Sequence, residues 1–154
     1  AHEIPAKPLD PYSYYNGDFI ALEKAHLNKG WKLVDNWHPD NKAGKRNSFV
    51  DVPMLEATRP GDRLTLDFRG KAIGIFCVSG PSAGILEYSV DGAPFKELDT
   101  FTEWSHNLYI PWVYMLETEL KDTDHKLVLR ISKKKNPASQ GTECQIRNFV
   151  VNGR

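Results

Sequence analysis

Apolar and polar positions alternate along most of the chain with the two-residue period of strands. The clearest case is residues 63–69, where Leu64, Leu66 and Phe68 point one way and Thr65 and Asp67 the other, the pattern of a half-buried antiparallel strand. Two denser apolar runs, 72–78 and 84–90, flank the segment Ser79-Gly80-Pro81-Ser82-Ala83; each predicts a more deeply buried strand. Asp91-Gly92 follows, a strong hairpin signal because both central residues of a tight hairpin turn need positive φ. A polar return strand then passes through Phe95-Lys96-Glu97-Leu98. Residues 126–132 alternate again, with Leu127, Leu129 and Ile131 inward, and 144–151 form a last apolar strand. Shorter strands are predicted at 18–22, 30–34 and 48–52, the last stopped by Pro53, while 23–29 is ambiguous. Thr58-Arg59-Pro60-Gly61-Asp62 is a turn.

One segment breaks the pattern. Trp112, Met115, Leu116 and Leu120 fall at helical spacing behind Pro111, which predicts a short helical turn near 112–120. The first residues carry Pro5, Pro8 and Pro11 with Tyr12, Tyr14 and Tyr15. Proline at this density prevents regular pairing, so 1–17 is expected to be an extended lead-in laid on the domain by its tyrosines. About eight to ten short strands with turns between them predict an all-β fold, an antiparallel β-sandwich, over one domain at 18–154.

Composition adds limits. The 154 residues are 40% hydrophobic and 26% charged, with 20 basic residues against 20 acidic, a soluble globular balance without the electrostatic excess that nucleic acid or an anionic membrane would require. The one basic cluster, Arg130 with Lys133-Lys134-Lys135, adjoins Asn136-Pro137 and reads as a solvated loop. No apolar stretch approaches the ~20 residues of a membrane span. The chain begins Ala1-His2, as a processed exported protein or a domain cut from a longer chain would. Cys77 and Cys144 lie inside strand-like runs; buried free thiols are the plainer expectation, and a strand-to-strand disulfide stays open.

Catalysis is tested first. Asp122-Thr123-Asp124-His125 contains the Asp-x-x-His spacing with which SGNH (GDSL-type) esterases supply two members of their triad. Such a triad also needs a serine nucleophile, and the nearest block, Gly17-Asp18-Phe19, has phenylalanine where that serine must be. Glu87, Asp99 and Glu103 are available as paired carboxylates, but no spacing selects an acid and a nucleophile. No catalytic residue is assigned. The five histidines, His2, His26, His38, His106 and His125, lack ligand spacing, so no metal residue is assigned and no cofactor is expected. Structural calcium stays open, because oxygen-rich loops such as Asp40-Asn41 hold it without a sequence signature.

Binding is left. A flat ring covers the apolar face of a pyranose while planar polar groups take its hydroxyls. Trp37, Trp104, Tyr109, Trp112 and Tyr114 are the candidate rings. Trp104 leads, because its neighbours are polar, with Asp99, Glu103 and His106 as its partners; Trp37 and Tyr109 complete the expected ligand-binding set. Trp112 is expected in the core.

Gly80-Pro81, Ala83-Gly84, Tyr88-Ser89, Asp91-Gly92, Trp104-Ser105 and Pro111-Trp112, together with PGDRL and WHPDNKAGKRNSFVDVPML, give the chain a resemblance over nearly its whole length. It resembles the β-sandwich accessory domain attached to GDSL/SGNH-type esterases of polysaccharide-degrading bacteria. The resemblance implies a jelly-roll, galactose-binding-like sandwich in a secreted or periplasmic protein. It also implies a hydrolase domain elsewhere in the same parent protein, and carries over no catalytic residue. Two roles are expected: a non-catalytic domain binding carbohydrate, or, alternatively, a structural domain docked on the hydrolase without a ligand of its own.

Overall fold

Eleven strands and two short 3-10 turns make up the computed structural model, which describes residues 3–153; Ala1 and His2, within the expected lead-in, lie outside. The strands are β1 Gly17–Ile20, β2 His26–Lys29, β3 Lys32–Trp37, β4 Val52–Ala57, β5 Arg63–Gly70 and β6 Ala72–Ser79. They continue as β7 Ile85–Val90, β8 Lys96–Asp99, β9 Ile110–Glu117, β10 Thr123–Ile131 and β11 Cys144–Asn152. All pair antiparallel, in two sheets. One has the order β3-β4-β11-β6-β9; the other runs β2-β5-β10-β7-β8. In the first sheet β6 follows nearly the whole of β11 on one side, so β4 and β1 share the other side, pairing with its start and its end.

The expected antiparallel sandwich is what forms. Leu64, Leu66 and Phe68 of β5 and Leu127, Leu129 and Ile131 of β10 meet Ile73, Ile75 and Cys77 of β6 and Ile146 and Phe149 of β11 in one core. Asp91 and Gly92 take positive φ, 53° and 77°, as the hairpin requires. Cys77 and Cys144 are free, buried thiols, and burial pushes the Cys77 thiol up to about 12.

Two expectations are corrected and one ambiguity is resolved. The helical turn near 112–120 is strand β9: Tyr114 and Leu116 face the core on a two-residue period, which outweighs the weaker helical spacing. Pro111 is tolerated because β9 pairs only with β6, and an edge strand has a side where no backbone donor is needed. Pro53 does not end a strand. It lies inside β4, opposite the irregularity in β3 between Val34 and Trp37 and ahead of the β11 pairing, which begins at Leu55. The segment before it forms the turn Asn47–Phe49 instead. The ambiguous 23–29 resolves into the turn Leu22–Lys24 and β2.

The lead-in is held through backbone oxygens. Lys71 donates to the Pro11 carbonyl at 2.9 Å and Asn152 to that of Ser13 at 3.0 Å, whereas Tyr12, Tyr14 and Tyr15 stay exposed. Among the described residues no helix is long and apolar enough to cross a membrane.

Candidate functional site

The strand register builds a row on the face of the first sheet turned away from the core. Lys32 stands beside Glu56, Glu56 beside Gln145, and Gln145 beside Val78. Their chain neighbours Leu55, Ile146 and Cys77 point into the sandwich, so the row faces outward. The long connection from β3 to β4 folds back over this face. There Trp37, Met54, Val78 and Tyr109 form a second, smaller core, with Phe49 and Val52 packed against it. Trp37 and Tyr109 meet edge to face, centroids 5.4 Å apart. Beside them remains a cleft of about 320 Å³, lined also by Asp40, Glu56, Ser82, Glu143 and Gln145.

The polar groups of the cleft are unevenly satisfied. The Trp37 indole N–H donates to Glu56 at 3.2 Å, and the Asn41 amide to the Tyr109 phenol oxygen at 2.8 Å. Gln145 donates through Nε2 to Glu143 at 3.3 Å. Its carbonyl Oε1 is buried and has no hydrogen-bond partner among the described residues, in a residue only 2% exposed. Burial pushes the Glu143 carboxyl above the usual carboxylate range; the Gln145 hydrogen bond opposes this and the charge of Glu56 adds to it. The Tyr109 phenol is raised mainly by burial, with Glu143, Glu56 and Asp40 contributing. Three carboxylates therefore share one small space.

The surrounding loops are fixed. Glu143 donates its backbone N–H to the Ser82 carbonyl at 2.8 Å, Gln140 donates to Pro81 at 2.9 Å, and the Ser139 hydroxyl donates to Ala83 at 2.7 Å. A Cβ on Gly80 would stand 2.1 Å from the Tyr109 ring, and one on Gly84 2.6 Å from the Thr142 carbonyl; glycine at both positions permits these close approaches. Across the cleft, Asp51 adopts a φ of 57°, donates its N–H to the Trp37 carbonyl at 2.8 Å and meets His38 at 3.1 Å.

Of the expected binding residues, Trp37 and Tyr109 are brought together, yet at 3% and 4% exposure they offer edges and not stacking faces. Asp99, Glu103, Trp104 and His106 do not line the cleft. Asp99 accepts from Asn136 at 2.6 Å and from the Phe101 N–H at 2.9 Å, and His106 packs edge-on against Phe101. Trp104 is 55% exposed. Its turn is tied to the cleft's border, since Gly44 donates to Asn107 at 2.7 Å and accepts from Tyr109 at 2.8 Å. Trp112, expected in the core, is exposed near the start of edge strand β9, while Tyr114 is half-buried and donates to the Thr100 carbonyl. Glu56, Glu143 and Gln145 were missed by sequence reasoning. The available signal was Gln145 itself, an amide flanked by Cys144 and Ile146 in an apolar strand.

The catalytic candidates separate. Asp122 faces Arg69, and His125 is bonded to Asp91 at 2.6 Å and to the Lys121 carbonyl at 2.8 Å, which occupies both ring nitrogens. Thr123–His125 belong to β10. Glu87 is held by Arg130 and Ser132. Among the described residues no group of three or more His, Cys, Asp or Glu side chains could hold a metal ion.

No protein-family model and no curated protein sequence matches the chain. Solved structures do. A two-domain esterase active on acetylated mannans, co-crystallised with mannopentaose, superposes over 99% of this chain with a TM-score of 0.72 at 17% identity. The chain has the fold of one region of that esterase. It spans 40% of the esterase's length. A family two carbohydrate esterase from Cellvibrio japonicus gives a TM-score of 0.53 at 12% identity, over 90% of this chain and 34% of its own. The CBM36-1 domain of a multidomain xylanase, from the hindgut metagenome of Trinervitermes trinervoides, gives 0.51 at 9% identity, over 90% of this chain and 98% of its own. The sandwich thus recurs both inside larger esterases and as a separate unit in a xylanase.

Proposed function

We propose that this chain is the non-catalytic, carbohydrate-binding module of an exported, polysaccharide-acting esterase, joined to a hydrolase domain of SGNH type in its parent protein. The observation that carries the reading is the outward cleft, where the buried, unpartnered carbonyl of Gln145 lies beside the carboxylates of Glu56 and Glu143. Such a group is costly to leave unsatisfied, and sugar hydroxyls are suitable donors. The fold shared with carbohydrate esterases and a xylanase module supports the reading, as does the commitment of both His125 ring nitrogens to partners within the fold. Trp104, exposed on the turn tied to the cleft's border, is the ring on which we place sugar stacking.

Isothermal titration with mannan, xylan and cellulose oligosaccharides tests this. Binding to at least one is expected, weakened about tenfold in Trp104→Ala, the loss that removal of one stacking contact gives. No binding at millimolar concentration to any of them removes the proposal.

A further inference from the structure

We propose that the outward cleft selects neutral, hydroxyl-rich sugar residues and rejects uronic-acid and other anionic glycans, with Gln145 and Glu143 as its specificity-determining residues. This rests on the carbohydrate-binding reading. It follows from which groups in the cleft are already used. The Trp37 N–H is committed to Glu56, the Gln145 Nε2 to Glu143, and the Asn41 amide to Tyr109. What the walls still offer is mostly acceptors: the Gln145 carbonyl and the carboxylates of Asp40, Glu56 and Glu143.

Among the described residues no lysine or arginine lines the space. Lys32 reaches Glu56 from the solvent side, its own side chain 64% exposed, and Lys45 lies against His38. A ligand carboxylate would lose its hydration beside Asp40, Glu143 and a Glu56 already paired with Lys32, while the lining His38 is engaged by Asp51 and Lys45, which is unfavourable. The raised pKa of Glu143, set by burial and by Glu56, shows how poorly the site already tolerates negative charge. A hydroxyl is the opposite case, since it donates where only acceptors wait. The Gln145 amide and the Glu143 carboxylate are joined by a hydrogen bond. They therefore present acceptors side by side, suited to hydroxyls on neighbouring carbons of one ring.

The test titrates the chain with mannopentaose, xylopentaose, cellopentaose and trigalacturonate under one buffer condition. At least one neutral oligosaccharide should bind, with trigalacturonate about tenfold weaker or more. Gln145→Met, of similar size and without the carbonyl, should lose about tenfold toward the neutral ligand. Glu143→Gln, which keeps the shape and removes the charge, should narrow the gap by admitting trigalacturonate; it carries the test if Gln145→Met does not fold. Trigalacturonate binding as tightly as the neutral sugars, and lost in Gln145→Met, would overturn the selectivity while the carbohydrate reading stood. Folded Gln145→Met with full affinity would overturn the role of Gln145. If none of the four binds, the carbohydrate reading falls and the selectivity with it.

Discussion

At the scale of single residues, His125 shows what a suggestive motif becomes once folded. Its ring is buried, stacked on Phe68, and clamped between Asp91 of the hairpin turn and the Lys121 carbonyl. Burial disfavours its charged form, but those two partners outweigh burial and its pKa is raised above 6.5. Asp91 is lowered below 3.8, first by the hydrogen bond from His125 and then by the Lys126 N–H. A raised histidine contributes stability below its unfolded value and loses it as pH rises through the folded one. A depressed aspartate contributes above its unfolded value and loses it as pH falls. The pair is therefore most stabilising between roughly pH 4 and pH 6.5. Melting temperature should fall by about 2–4 °C from pH 5.5 to pH 8.5, and the fall should shrink in His125→Gln. An unchanged slope in that variant would show that the pair does not govern it. Gly84 makes a second case: its backbone runs against Thr142, so Gly84→Val should cost about 1–3 kcal/mol through overpacking. Ser82→Ala, two residues away, should cost less than ~1 kcal/mol of ligand affinity. Thermal melts and titration of the two variants separate a structural loop from a functional one.

Among the elements, strands with a strict two-residue period were legible before folding. Leu64, Leu66 and Phe68 admit only one burial pattern, and Asp91-Gly92 only one sharp turn. β9 was not, because Met115 and Leu116 are adjacent apolar residues facing opposite sides, and a short strand with both faces apolar matches helical spacing by accident. β4 was misplaced because Pro53 is a breaker only where its N–H is needed, and sheet register decides that. The site had the same dependence. Glu56 and Gln145 are 89 positions apart in sequence and abreast in the sheet, a proximity no local pattern encodes. The Trp104 turn was legible as exposed, polar chain. The burial of Trp37 and Tyr109 was not, since their cover is the 38–51 connection, which has no apolar period of its own.

For the molecule as a whole, the two faces of the first sheet are put to different uses. Its inner face belongs to the main core, while its outer face carries a second small core and, beside it, the cleft. The cleft floor thus crosses β4 and β11 through Glu56 and Gln145, so an occupant would touch strands that also hold the sandwich together. The same architecture joins the two ends of the domain: Gly17, where β1 starts, stands opposite Asn152, where β11 ends. Tension applied through both ends would load that ladder from one side. The β1–β11 bonds would then break in succession, as in a zipper, and not share the load as they do when strands are sheared. A chain pulled at these two points should yield first at β1. Single-molecule stretching from residues 16 and 153 should show a low-force step releasing β1 ahead of the main rupture, and its disappearance when a designed disulfide joins positions 18 and 151 would locate the step there. One high-force rupture in the unmodified chain would mean that the rest of the sandwich, and not this ladder, sets its mechanical strength.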